Sequence, residues 1–490
     1  MSRIRRGILF SAADKYASQI LSLVTLAIMS RILTPAETGL YLIANSLILL
    51  ADNFRAFGVG IYIVQERELD RQAVRAGFTV TLVISYGIGL AIWLSAELLA
   101  AFYDNGEIAH LLRLAALAFA AIPFGAPILA LLQRDLAFPT LAGLNVTAGF
   151  VGFLVTIGLG FAGVGPASYV WGYVATSVTA AVLAFALRPE PWIYRPTLAG
   201  SRRVLAFGMT CSAVTLLNMA YEMLPRLAFG KILGFAAVGL YGRAQTVCQL
   251  PDRVIASALH PVVLPAMAAE VRAERDLKPA YLRGLTLMSS VQWPALILLA
   301  LLADPVVRLL LGAQWTEAAP LVRIVALGNM VLAPAFLTFP VLVATGRIRD
   351  TLTSSLISLP PAAAITIGSA QFGLTAVACS IFVTAPLMMF VSLVFVRRAI
   401  GLGWGEIFLS LRPSLGVAAA TAAAPACVVL LSPNSLDLQW GEAALALAGG
   451  VAGGLIALLA GHHPARDELL AVARMASRFF SRTRISRSET

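Results

Sequence analysis

The residues able to do chemistry in this 490-residue sequence sit where charge is least expected, inside long apolar runs. Lys15, Arg55, Arg226, Arg243 and Arg253 are the basic ones, and Asp52, Glu222 and Asp252 are the acids that accompany them. Polar residues recur around them at intervals of three or four. Ser11, Lys15, Ser18, Ser22 and Thr25 do so in one run, and Thr215, Asn218, Glu222 and Arg226 in another. That spacing places each set on one helical face. An uncompensated charge at mid-bilayer costs at least ~2.5–3.5 kcal/mol on insertion scales, so these side chains are expected to face a wet interior or one another. Their sum leans positive, and arginine can clasp phosphate oxygens bidentately. The chemistry implied is recognition of an anionic headgroup by a cavity. The five basic residues are the candidate substrate-binding groups; Asp52, Glu222 and Asp252 are expected to hold them or to respond to coupling ions. A plainer reading competes. Asp52 and Arg55 are three apart and can neutralise each other, and Arg226 or Arg243 can snorkel outward.

Nothing else in the chain suggests a reaction. Cys211, Cys248, Cys379 and Cys427 lie singly in apolar segments, and His110, His260 and the His462–His463 pair form no ligand cluster. Small buried hydrophobes are the expected role of the cysteines, and no catalytic residue, cofactor or metal is expected. The loops 103–109, 161–166 and 432–439 are short and gather no nucleophile, base and oxyanion partner, which weighs against a membrane glycan polymerase or ligase.

The elements that must position the charges follow from composition. The chain is 59% hydrophobic and 12% charged, against ~45–50% and ~25% for a soluble domain. Fourteen apolar runs are long enough to cross a bilayer as helices. They lie near 8–30, 38–62, 76–102, 110–132, 138–162, 165–187, 203–229, 236–262, 283–303, 320–345, 350–371, 373–396, 407–431 and 441–461. The expected fold is therefore all-α integral membrane, since a barrel would need short alternating strands. The net charge of +11 does not indicate nucleic acid, because the basic residues gather in alternate short loops. Arg67, Arg71, Arg75, Arg134, Arg188, Arg195, Arg272, Arg275, Arg347, Arg349, Arg397 and Arg398 fall on one side; Arg31, Lys231, Arg308 and Arg323 fall on the other. That asymmetry puts both termini in the cytoplasm. No cleavable signal is evident. The basic tail, 464–490, reads equally as an interfacial amphipathic helix or as a disordered segment.

An internal repeat organises these runs. Arg31-Ile-Leu-Thr-Pro-Ala-Glu-Thr-Gly-Leu-Tyr41 aligns with Lys231-Ile-Leu-Gly-Phe-Ala-Ala-Val-Gly-Leu-Tyr241 at an offset of 200, and Asp52 then faces Asp252. Six helices per copy is an even number, so the copies are expected to be parallel repeats related about the membrane normal, with a central cavity. The expected organisation is an N-terminal six-helix bundle (1–200), a C-terminal six-helix bundle (201–400), two additional transmembrane helices (401–463) and the basic cytoplasmic tail (464–490).

The motif from Arg31 to Tyr41 resembles the N-terminal signature of the polysaccharide transporter family. That family belongs to the multidrug/oligosaccharidyl-lipid/polysaccharide exporter superfamily. Phe57-Gly58-Val59-Gly60, running on to Val64-Gln65, is similar to the stretch that follows helix 2 there. Thr38 and Tyr16 depart from the pattern, where many members carry an aromatic residue and a tryptophan. The resemblance implies a flippase moving an undecaprenyl-diphosphate-linked oligosaccharide, an exopolysaccharide or O-antigen repeat unit, across a bacterial inner membrane by alternating access. Its partners would be the lipid-linked oligosaccharide, membrane lipids and other glycan assembly and export proteins, with no nucleic acid. A lipid II flippase and a multidrug/cation antiporter are the rivals within the superfamily.

Overall fold

A computed structural model describes residues 3–56, 58–66, 68–253, 263, 267–432, 436–460 and 466. Every element among them is helical. In chain order the first helices are α1 (Arg3–Ile32), α2 (Pro35–Ala56), α3 (Val59–Gln65), α4 (Arg71–Tyr103), α5 (Gly106–Arg134), α6 (Phe138–Phe161), α7 (Ala167–Leu187), α8 (Ser201–Ile232) and α9 (Phe235–Cys248). There follow α10 (Leu277–Leu301), α11 (Ala303–Leu310), α12 (Ala318–Asn329), α13 (Thr338–Ala344), α14 (Ile348–Ser369) and α15 (Leu374–Cys379). The last three are α16 (Ile381–Ile400), α17 (Trp404–Leu431) and α18 (Trp440–Ala460).

Among the described residues, eleven segments are long and apolar enough to cross a membrane. They coincide with eleven of the fourteen runs expected from the sequence. The other three are α1 and α8, whose polar faces lower their mean hydropathy, and the stretch that begins with the short helix α9. Part of that last stretch lies outside the described residues, as do the tail, bar one residue, and loop position Arg67.

The chain forms two compact units, Met1–Gly242 with Leu310–Trp315, and Arg243–Leu309 with Thr316–Thr490. In the first, the signature motif begins α2 with a reciprocal cap. The Thr34 N–H donates to Glu37 Oε2 (2.8 Å), and the Glu37 N–H donates back to Thr34 Oγ1 (3.3 Å), with Pro35 in the first helical position. Four residues on, α2 meets α9 backbone to backbone. A Cβ on Gly39 would lie 1.7 Å from the Phe235 carbonyl oxygen, and one on Gly239 would lie 2.0 Å from that of Pro35. The contact is reciprocal at the offset of 200, so the two copies of the motif touch each other at equivalent glycines. A second close approach joins α6 to α7, where a Cβ on Gly152 would fall 1.9 Å from Thr176 Oγ1 and one on Gly172 would fall 1.8 Å from Thr156 Oγ1. Small residues at such crossings let helix backbones approach, which is how apolar helices gain contact in lipid.

The second unit packs α10 against α17 and α17 against α18. Hydroxyls stitch the first pair: Ser289 Oγ donates to Ser414 Oγ (2.8 Å) and Thr286 Oγ1 to the Ser410 carbonyl (2.8 Å). Glycine makes the second pair close, since a Cβ on Gly453 would lie 2.5 Å from the Ala420 carbonyl oxygen. Tyr281, Leu285, Val341, Leu393 and Val396 fill its core. Around Pro334 the chain opens into a 3₁₀ stretch, Met330–Ala335; the Met330 carbonyl, which Pro334 has no N–H to reach, accepts from Trp293 Nε1 at 2.8 Å, and the Pro334 carbonyl accepts from the Tyr281 hydroxyl at 2.9 Å.

Candidate functional site

In the first unit the polar face of α1 meets α6 and α7. Ser18, Ser22 and Thr25 line a cavity of about 230 Å³ together with Gly149, Gly152, Thr156, Gly172, Tyr173 and Thr176. The glycine crossing of α6 and α7 forms part of its wall. Above it Asn145 Nδ2 donates to Asp14 Oδ2 at 3.1 Å, while Lys15 is exposed. On α2, Asp52 and Arg55 form an ion pair, with Arg55 Nη2 and Nε each 2.9 Å from Asp52 Oδ1. Arg55 is thus engaged by its own helix, as their spacing of three allowed, and both side chains are partly buried.

Arg226 is placed differently. It projects from α8 toward α2, with Nη1 at 3.5 Å from Ser46 Oγ, the outer limit of a hydrogen bond. Ser46 lies midway along α2. Arg226 is half-buried; the charge of exposed Glu222 one turn earlier acts on it, but no carboxylate among the described residues lies within ion-pair distance of it.

The second unit holds the remaining candidates. Arg243 is only 5% exposed. Asp252 accepts from Gln292 Nε2 of α10 at 2.6 Å, and the exposed Arg253 donates through Nη2 to Gln249 Oε1 at 3.2 Å. Helix α9 ends at Cys248 and helix resumes at Leu250, so Arg243 stands on a different helical segment from Asp252 and Arg253. The interruption falls just before Pro251, which lacks the N–H that would continue the ladder.

The structure also gives the loop arginines partners that spacing could not reveal. Arg134 Nη1 donates to the carbonyls of Ile63 (2.8 Å) and Val64 (3.3 Å) at the end of α3. Arg188 donates to Glu190 and Asp135, both at 2.6 Å. Burial works against its charge, but those carboxylates outweigh it and its pKa is raised. The linker beyond it is clasped to α4 and α5: Arg75 Nε donates to the Arg195 carbonyl (2.7 Å), the Tyr194 hydroxyl to that of Phe124 (2.9 Å), and Arg71 lies 5.3 Å over the Trp192 ring. At the other end of this unit Lys231 Nζ pairs with Asp104 (2.6 Å). In the second unit Asp304 holds Arg323 at 2.8 Å, and Arg308 pairs with Asp437.

This arrangement, embedded polar faces on paired copies of one motif, can be compared with known proteins. A family profile described as "Polysaccharide biosynthesis protein" matches residues 28–320, more than half of the chain. The chain belongs to this family. Among its relatives is the lipopolysaccharide biosynthesis protein WzxC of Escherichia coli, 23% identical over 80% of each chain. The succinoglycan biosynthesis transport protein ExoT of Rhizobium meliloti is 25% identical over 70% of each chain. The teichuronic acid biosynthesis protein TuaB of Bacillus subtilis is 21% identical over 70% of this chain and 72% of its own. Among solved structures, the lipid II flippase MurJ in an inward closed conformation superposes with a TM-score of 0.72. That match covers 94% of this chain and all of the other at 14% identity. An inward-facing multidrug resistance transporter of the MATE family gives 0.61 over 80% of this chain and 98% of its own, at 15% identity. Identities that low speak to fold alone. The chain is a multi-pass membrane protein that shares the fold of these solved transporters.

Proposed function

We propose that this chain is a flippase that moves an undecaprenyl-diphosphate-linked oligosaccharide, an exopolysaccharide or O-antigen repeat unit, from the cytoplasmic to the periplasmic leaflet of a bacterial inner membrane. It works by alternating access, as a carrier and not an enzyme, with both termini in the cytoplasm. The family supports this reading, and so do the names of three relatives, each concerned with making a polysaccharide and one explicitly with transport. Arg71, Arg75, Arg134, Arg188 and Arg195 gather at one end of the first unit, which supports a cytoplasmic assignment for that end.

The observation that carries the substrate class is Arg226. A guanidinium level with the middle of α2, near Glu222 but with no carboxylate among the described residues in ion-pair contact, is costly to keep in a membrane unless an anion uses it. A diphosphate that travels in the lipid plane supplies that anion. Arg55 is the weaker candidate because Asp52 already occupies it, and Lys15, Arg243 and Arg253 complete the proposed set. In this reading the sequence repeat at an offset of 200 makes 1–200 and 201–400 the two parallel bundles, and the reciprocal Gly39–Gly239 contact supports it.

The test is surface glycan production in a deletion strain complemented with Arg226 variants at matched membrane levels. Removing a charge-assisted phosphate contact costs roughly 1.5–3 kcal/mol, or about 10- to 150-fold in affinity, so Arg226→Gln should abolish most glycan. Arg226→Lys keeps the charge without the fork and should restore part of it. Wild-type glycan from Arg226→Gln would remove the support for a cationic phosphate site.

A further inference from the structure

The second unit carries a basic cleft that the transport reading does not use. It lies where α16 ends and turns into α17, has a volume of about 450 Å³, and is lined by Val394, Arg397, Arg398, Gly401 and Leu402. That volume is in the range of small-molecule clefts, ~300–1,000 Å³. The membrane-crossing segment of which α16 is part ends at Ile400, so the cleft sits at the depth of lipid headgroups.

Two features make it more than a charged surface. Arg397 is held on both sides: its guanidinium lies 4.4 Å over the Trp404 ring, and its Nε donates to the Leu402 carbonyl at 2.9 Å. The two terminal nitrogens make no hydrogen bond to a described residue, so a fork already fixed in place is left to receive an anion. Arg398 beside it is exposed, and its guanidinium likewise has no partner among the described residues. The nearby carboxylates are engaged elsewhere, Asp350 with Arg347 at 3.7 Å and Glu406 with Lys278 at 2.7 Å. Arginines in the last helical turn do complement the helix dipole. That explains their presence, but not a guanidinium stacked and tied beside an open cleft.

The second feature is the apolar wall. Phe390, two turns back along α16 and more than half exposed, stacks on Trp404 with ring centroids 5.5 Å apart and planes within 5°. Val394 lies between Phe390 and the arginines and lines the cleft itself. Fixed cations at headgroup depth above an aromatic and aliphatic wall match a molecule with a phosphate at one end and a hydrocarbon chain at the other. We propose that Arg397 and Arg398, with Trp404, Val394 and Phe390, form a binding site for one anionic phospholipid of the surrounding leaflet, its phosphate on the two guanidinium groups and its acyl chain along Phe390.

The test uses the full-length protein purified in detergent and titrated with phosphatidylglycerol or phosphatidylcholine, with bound lipid counted by native mass spectrometry. The expected result is one tightly held phosphatidylglycerol, bound about tenfold or more tighter than phosphatidylcholine. Arg398→Gln should weaken it roughly tenfold, and R397Q/R398Q should abolish the preference. Arg398→Gln removes an exposed guanidinium that has no hydrogen-bond or ion-pair partner among the described residues, so folding should be untouched, and a monodisperse elution profile checks this. R397K/R398K should retain part of the preference. Arg202→Gln, at an exposed arginine of the first unit, should leave binding unchanged. Three results overturn the proposal: equal binding of the two lipids, equal loss from Arg202→Gln and Arg398→Gln, or displacement of phosphatidylglycerol by millimolar inorganic phosphate. The last would make the cleft a site for a soluble anion instead.

Discussion

The reciprocal contact at Gly39 and Gly239 yields a prediction whose size can be worked out. A carbon rests against a carbonyl oxygen at ~3.3 Å, so a methyl at residue 39, 1.7 Å from the Phe235 oxygen, requires α2 and α9 to part by about 1.6 Å. The obstacle is backbone and cannot rotate aside. Overpacking of this kind costs ~1–3 kcal/mol, and more where the neighbour is rigid. Gly239→Ala asks for a separation of about 1.3 Å at the same crossing, because its methyl would lie 2.0 Å from the Pro35 oxygen. Each single variant should therefore lower the unfolding temperature of the detergent-purified protein and its yield in the membrane. The double variant should cost less than the two losses added, since the first methyl has already opened the gap the second needs. Gly87→Ala is the control: it has open space around it, and alanine is the better helix former by ~0.5–1 kcal/mol, so it should be neutral or stabilising. Thermal unfolding followed by fluorescence-detected size-exclusion reads all four proteins. If Gly39→Ala melts with Gly87→Ala, or the double variant shows strictly additive losses, the two motifs do not cross at these glycines.

Two further outcomes follow from the charges. Asp52→Asn leaves Arg55 partly buried without its carboxylate and should destabilise the protein by ~1–3 kcal/mol, whereas D52N/R55Q should recover most of it; identical melting of single and double variants would mean the pair carries no coupling. Single cysteines introduced into the loops 67–75, 103–109 and 432–439, in a background lacking the four native thiols, should react with an impermeant reagent from outside in the last two loops alone; labelling of 67–75 in intact cells would invert the topology.

Most of the helical spans were legible in sequence because the bilayer imposes a simple rule, about twenty apolar residues per crossing. The same rule explains where span reading weakens. Helices α1 and α8 are 30 and 32 residues long, yet their polar faces dilute the very signal that identifies a span. The matching motifs at 31–41 and 231–241 stood out for a different reason: Gly39 and Gly239 admit no side chain where the two motifs touch. Partners were not legible. Asn145 meets Asp14 across 131 positions and Arg134 meets Ile63 across 71, and no local spacing encodes such distances. Gln292, which holds Asp252, looks in sequence like one polar residue ahead of Trp293 and Pro294. The break before Pro251 was foreseeable from the missing N–H, but its consequence, that Arg243 and Arg253 stand on separate helical segments, needed coordinates.

The first unit is not finished when its own stretch of chain is finished. Its final stretch, Leu310–Trp315, ends 73 residues after Gly242. Gln314 Nε2 donates to the carbonyls of Ser30 and Leu33, and Trp315 Nε1 to that of Ser30 (2.6 Å). These are orphan acceptors at the end of α1, which no residue of that helix can satisfy. At ~5–20 residues per second, a ribosome needs roughly 4–15 s to make the intervening chain. For that interval the α1 terminus waits on water, lipid headgroups or the insertion machinery for its hydrogen bonds. A stalled or truncated product ending between Gly242 and Trp315 would hold every membrane-crossing helix of the first unit and still present an unfinished end, a natural handle for the proteases that survey newly made membrane proteins.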